Sequence, residues 1–84
     1  MAHYFFDWRD NGSLDLDEDG VDLPDLAAAR AEAYRSLLER AREILPGTER
    51  HSLSIDVRDD ASHHLLSIAV FVEVTLATSD PTAG

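Results

Sequence analysis

Leu23 to Pro46, LPDLAAARAEAYRSLLERAREILP, is the stretch whose reading decides the fold. Its apolar residues recur at helical spacing, and Leu26, Ala33, Tyr34, Leu37, Ala41, Ile44 and Leu45 form one predicted stripe. Glu32, Arg35, Ser36, Glu39 and Glu43 fall outside it. The start is marked twice, by Pro24 as a first-turn residue or by Asp25 as N-cap. Pro46-Gly47 stops the helix, with Arg40 and Arg42 near its negative end. Arg30 falls near the centre of the stripe. It either pairs with a carboxylate across a helix–sheet junction or lays its stem along the core and sends its guanidinium to water.

Outward from the helix, the chain reads as strand and turn. His3 to Arg9 alternates, with Tyr4, Phe6 and Trp8 on one face and His3, Phe5, Asp7 and Arg9 on the other. Asn11-Gly12 is a hairpin signal, and Ser13 to Leu16 can return as a short strand before the Asp17–Gly20 turn. Beyond the helix, His51 to Arg58 alternates through Leu53, Ile55 and Val57. Asp59 to Ser62 reads as a four-residue turn that sets Ile55 opposite Leu66. His63 to Leu76 reads as the longest strand, with Leu66, Ile68, Val70, Val72, Val74 and Leu76 on one face. The expected architecture is a two-layer α+β domain over residues 1–77. A four-stranded, mostly antiparallel sheet in ββαββ order carries one long helix on one face. Residues 78–84 read as a disordered tail.

That last strand is longer than its hairpin partner, and at about 3.3 Å per residue it could reach roughly 45 Å. Its second half therefore needs the first strand, or a strand from another molecule. The face away from the helix carries Phe5, Leu65, Ala69 and Phe71, which can form a modest contact patch. A homodimer through this edge or face is the leading expectation for a partner.

Composition bounds the rest. The net charge is −10, with seven Arg and no Lys. That argues against direct nucleic-acid binding and against an anionic membrane surface. The charge serves solubility or offers an acidic face, around Asp15 to Asp25, to a basic partner protein. There is no cysteine, which excludes a disulfide or a thiol nucleophile. The N-terminus lacks the basic start and apolar run of a secretory signal, so a cytoplasmic location is expected.

Asp15, Asp17 and Asp19 with Gly20 match the first half of a calcium loop, D-x-D-x-D-G, and are candidate metal ligands for a calcium-responsive regulator. The twelfth position is Leu26 where a bidentate Glu is needed. His63 and His64 are neighbours in a strand and point to opposite faces; His64 and His51 share a face but stand far apart. No nucleophile, base and orienter fall together, so neither an enzyme nor a cofactor is expected.

His3-Tyr4-Phe5-Phe6-Asp7, the Asp10-Asn11-Gly12 turn, Asp19-Gly20-Val21-Asp22-Leu23-Pro24-Asp25 and Ala28-Ala29-Arg30-Ala31-Glu32-Ala33 together resemble a family. It is a family of short, uncharacterised bacterial proteins carrying a domain of unknown function. The resemblance covers the first half well, implies no established activity, and places Asp7 and Arg30 within its motif. The chain is also similar, in its aromatic strand, Asp-Gly turn, Pro-Asp-Leu lead-in and Ala/Glu-rich helix, to HicB-type antitoxins. It departs from them in that no strand is expected between the glycine turn and the helix, and no DNA-binding segment follows. That likeness implies a protein that binds and neutralises a basic partner.

Overall fold

A computed structural model describes residues 1–77. The tail expected over 78–84 lies outside them. β1 (Ala2–Asp10), β2 (Ser13–Asp15), β3 (Val21–Leu23), α1 (Leu26–Ile44), β4 (Arg50–Asp59) and β5 (His64–Glu73) follow in that order. All pairings are antiparallel, in the order β2-β1-β4-β5, with β3 also on β1. The α+β class and the single helix are as expected. The fifth strand is not, because Val21–Leu23 is too short for its period to register in sequence.

β2 and β3 lie end to end along one side of β1, pairing with Trp8–Asp10 and Ala2–Tyr4 respectively. Asn11 (φ 50°) and Gly12 (φ 94°) make the β1–β2 turn. Positive φ at both positions is the primed geometry that matches strand twist. On its other side β1 pairs with β4 from Tyr4 against Asp59 to Asp10 against Leu53. The N-terminal strand is therefore central.

Two expectations about the second hairpin need correcting. Ile55 faces Ile68, not Leu66, and Leu53 faces Val70. The turn is tighter than four residues, because the Asp59 N–H donates to the His63 carbonyl and Ser62 takes a left-handed φ of 65°. A bulge at Val57/Arg58 shifts the ladder by one more residue. The two slips sum to an even number, so the apolar faces still coincide. The strand also ends at Glu73 rather than Leu76, and β4 matches it over its whole length, with Ser52 opposite Phe71 and Arg50 opposite Glu73. No half of β5 lacks an inner partner. Among the described residues what it lacks is an outer one, from end to end.

The helix begins later than its apolar pattern suggested. Asp25 is the N-cap, its side chain accepting from the Ala28 N–H at 2.9 Å, and Pro24 stays outside. The buried ridge is Ala29, Ala33, Leu37, Ala41 and Leu45, each four residues after the last. Its alanines let the helix backbone approach Leu53, Ile55 and Val57, which are fully buried beneath it. Turning that ridge inward carries the neighbouring ridge, Leu26, Arg30, Tyr34 and Leu38, to the flank of the helix. Tyr34 is 52% exposed and Leu38 49%. Leu26 and Tyr34 thus lie outside the core in which the helical wheel placed them.

Candidate functional site

Asp7 is the one buried charged residue among those described, 5% exposed. Its parity sends it to the sheet face away from α1, where a carboxylate is stable only if fully partnered. Arg58, on the adjacent strand, donates through Nε to Asp7 Oδ2 at 2.8 Å. The Asp17 N–H donates to Asp7 Oδ1 at 2.9 Å, and Arg58 Nη2 donates to the Asp17 carbonyl at 2.8 Å. Phe5 lies under the Arg58 guanidinium at 4.4 Å. An Arg–carboxylate pair does exist here, but Arg30 is not its member. Arg30 is exposed and makes no ion pair among the described residues.

Asp17 completes the edge that β2 and β3 leave broken. Its carboxylate accepts the N–H groups of Phe6 (3.1 Å), Asp19 (3.1 Å) and Gly20 (3.2 Å). Phe6 stands in the gap between the two short strands, so a side chain replaces the missing rung of the ladder. Burial pushes the Asp17 carboxyl up, but the three backbone donors and the Arg58 charge outweigh it and hold the carboxyl below its ordinary range. Those oxygens are aimed at backbone donors rather than at a common centre with Asp15 and Asp19. Among the described residues no three His, Asp or Glu side chains converge as metal ligands.

His3 ties down the far end of the same edge. Its Nδ1 faces Asp22 Oδ1 at 2.6 Å and its Nε2 faces the Asp19 carbonyl at 2.9 Å. Both partners are acceptors, so only the doubly protonated ring satisfies them. The Asp22 bond first, and the Asp19 carbonyl next, raise its pKa above the ordinary value. Stability from His3 is full below its unfolded pKa of about 6.5 and is lost as pH rises through the raised value. Stability from Asp17 is present above about pH 4 and is lost as pH falls through its depressed value. Exchange of the Tyr4 and Phe6 amides, corrected for intrinsic rate, should therefore be slowest between these limits. A His3→Asn variant should flatten the alkaline side; protection equal at mildly acid and alkaline pH would contradict this.

Among the described residues no strand pairs with the opposite edge. The Val74 N–H donates to the Glu49 carbonyl at 2.7 Å, and alternation from that bond turns the N–H and C=O of Ser67, Ala69 and Phe71 outward. Beside this free edge runs an open groove of ≈ 720 Å³, lined on one wall by Leu26, Ala27, Arg30 and Tyr34 and on the other by Leu65 to Ala69. The two edges of the sheet thus differ in kind. One is closed down to a single amide; the other presents bare backbone beside a half-apolar wall.

Of the contact residues expected from sequence, Leu65, Ala69 and Phe71 share β5, and Leu65, Ala69 and Arg30 line the groove. Phe5 does not join them. It pairs across from Arg58, whereas Phe71 pairs across from Ser52, six residues along β4 and so roughly 20 Å away. Phe5 is also covered by Arg58 and by the edge of the His3 ring at 5.0 Å. The expected open-face patch is therefore not continuous. A polar network fills the space between: Arg9 donates to Asp56, the Ser67 hydroxyl donates to Asp56, and His64 Nε2 lies within hydrogen-bond distance of Ser67. His51 turns to the helix side and contacts Asp10, so it and His64 occupy opposite faces. Sequence did not single out Arg58 as a partner of Asp7, and it read Tyr34 as core rather than as a groove wall. Only their parity with known strand and helix positions could have pointed to them.

No helix among the described residues is long and apolar enough to cross a membrane. No curated protein and no solved structure is significantly similar to the chain. A family described as Domain of unknown function (DUF6894) matches residues 3–71, a span that takes in the covered edge, the Asp7–Arg58 pair and the outward-facing residues of β5. The chain belongs to the DUF6894 family.

Proposed function

We propose that the domain is a non-catalytic protein-interaction module that receives an extended segment along β5. The observation that carries this reading is the outer edge of β5, whose backbone groups are unpaired beside the Arg30–Tyr34 groove. Strand addition needs those two parts: main-chain donors and acceptors for affinity, and an adjoining wall for side chains. The polar groups of the buried network support a structural role for it, since both Asp7 oxygens and the Asp17 carboxylate are already engaged by neighbours. Peptides selected from a random display library test the reading. Bound peptides should shift the amides of Ser67, Ala69 and Phe71 together with the Tyr34 ring. Binders that shift only other surfaces would overturn it.

The covered edge favours a second reading, contact with a basic protein. Asp15, Glu18, Asp19, Asp22 and Asp25 are all exposed there, and His3 lies among them, its ring nitrogens facing Asp22 and the Asp19 carbonyl. Such binding would weaken steeply with salt, whereas occupation of β5 would not.

A further inference from the structure

Resting on the reading of β5 as a receiving edge, we infer that its occupant is a second copy of this chain, joined β5 to β5 about a two-fold axis at Ala69. Three observations select that occupant. Leu65 to Val72 carries no charged residue in a chain of net charge −10. Two identical acidic molecules repel least where the surface carries no carboxylate, and this edge supplies such a surface. A basic partner would find no carboxylate in the groove, whose charged member is Arg30.

The second observation is self-complementarity. Two antiparallel strands related by a two-fold must pair residues of equal parity, so that outward backbone groups meet each other. Centred on Ala69, Ser67 of one copy lies opposite Phe71 of the other. On the helix side Ile68 then meets Val70, and Leu66 meets Val72. Every helix-side pair is apolar, and the smallest side chain of the open face sits on the axis. The sheet would run unbroken as β2-β1-β4-β5-β5-β4-β1-β2. Both helices would stand on one face, with the Tyr34 and Leu38 ridges turned toward each other across the seam.

The third is the absence of protection on this edge. Pro and Lys are absent from β5, and its bulge lies at the Arg58 end, leaving Leu66 to Val72 regular. A regular, neutral, β-branched edge left open is a template for uncontrolled stacking. A closed two-fold pairing removes it.

Light scattering from micromolar to millimolar protein tests the inference, with Ala69→Pro and Ala69→Lys as variants. The Ala69 N–H points away from β4, so proline there removes no bond of the existing ladder. The expected result is twice the monomer mass for wild type and the monomer mass for both variants, with unchanged circular dichroism. Because the chain has no cysteine, Ala69→Cys adds an independent readout. Facing Cα atoms in such a pair stand about 5.5 Å apart, within disulfide range. Ala69→Cys should therefore oxidise to a dimer, and Ser67→Cys should not. A wild type that stays monomeric would overturn the second-copy inference while leaving strand acceptance to the peptide selection. A dimer unaffected by both Ala69 variants would place the contact elsewhere and overturn the second-copy inference, and peptides that fail to shift the β5 amides would overturn the reading of β5 itself.

Discussion

Asp7→Ala should destabilise the domain by about 3–5 kcal/mol, the usual result of removing one partner from a buried ion pair. For a domain of this size that lowers the melting temperature by roughly 15 °C or more. The loss is large because three things fail together. The Arg58 guanidinium keeps its place over Phe5 without a carboxylate, the Asp17 N–H loses its acceptor, and the 16–20 loop loses its anchor. Asp7→Asn retains an oxygen for the Asp17 N–H and should cost less. Asp7→Leu combined with Arg58→Met should recover much of the loss, since two apolar side chains leave no charge stranded. Urea or thermal unfolding checks all three, and an Asp7→Ala protein that melts with wild type would refute the account.

Gly20→Ala should rank second, at about 2–4 kcal/mol, combining left-handed strain with overpacking. Gly20 has φ +71°, and a Cβ there would lie 2.6 Å from His3 Nε2, 2.8 Å from the Tyr4 carbonyl oxygen and 2.9 Å from the Phe5 ring. Two of those three are held by the backbone of β1 or by the stack on Arg58, so they cannot step aside cheaply. Gly12→Ala is the internal control. Its φ is +94°, yet nothing lies within 4 Å of the added atom. It should show the conformational cost alone, about 1 kcal/mol. The difference between the two melts measures how closely the loop is pressed onto β1.

These two sites also mark what the sequence reveals and what it conceals. Local signals were legible: the alternation of Tyr4, Phe6 and Trp8, the Asn11-Gly12 turn, and Asp25 as one of two candidate caps. Each depends on residues within a few positions of each other. The Asp7–Arg58 pair joins residues on strands far apart in the chain, and no local pattern ties them. Asp17 reads as an acidic turn residue, because the donor it serves, the Phe6 N–H, becomes free only when two short strands leave a gap. The helix rotation was misread for a different reason. Hydropathy gives Leu26 and Tyr34 more weight than alanine, whereas close packing on a sheet favours the alanine ridge. The open edge was half legible. Sequence extends β5 past Glu73 and so expects an unsatisfied second half, whereas β4 matches its whole length and the bare side is the outer one, which depends on strand order.

The central position of β1 has a consequence for how the protein is made. Tyr4, Phe6 and Trp8 are synthesised well before the strand they pair with, and Phe6 finds its neighbour only when Val57 has been made. Until then β1 has only the two short strands of its own hairpin region for company, while β4 and β5 can close their tight turn as soon as both exist. Loop closure over so long a span is slow compared with a local hairpin. Between the synthesis of Trp8 and that of Val57 the growing chain therefore carries its most aromatic segment with one side unpaired. The dense run of carboxylates that follows, from Asp15 to Asp25, travels beside it as a built-in solubilising escort.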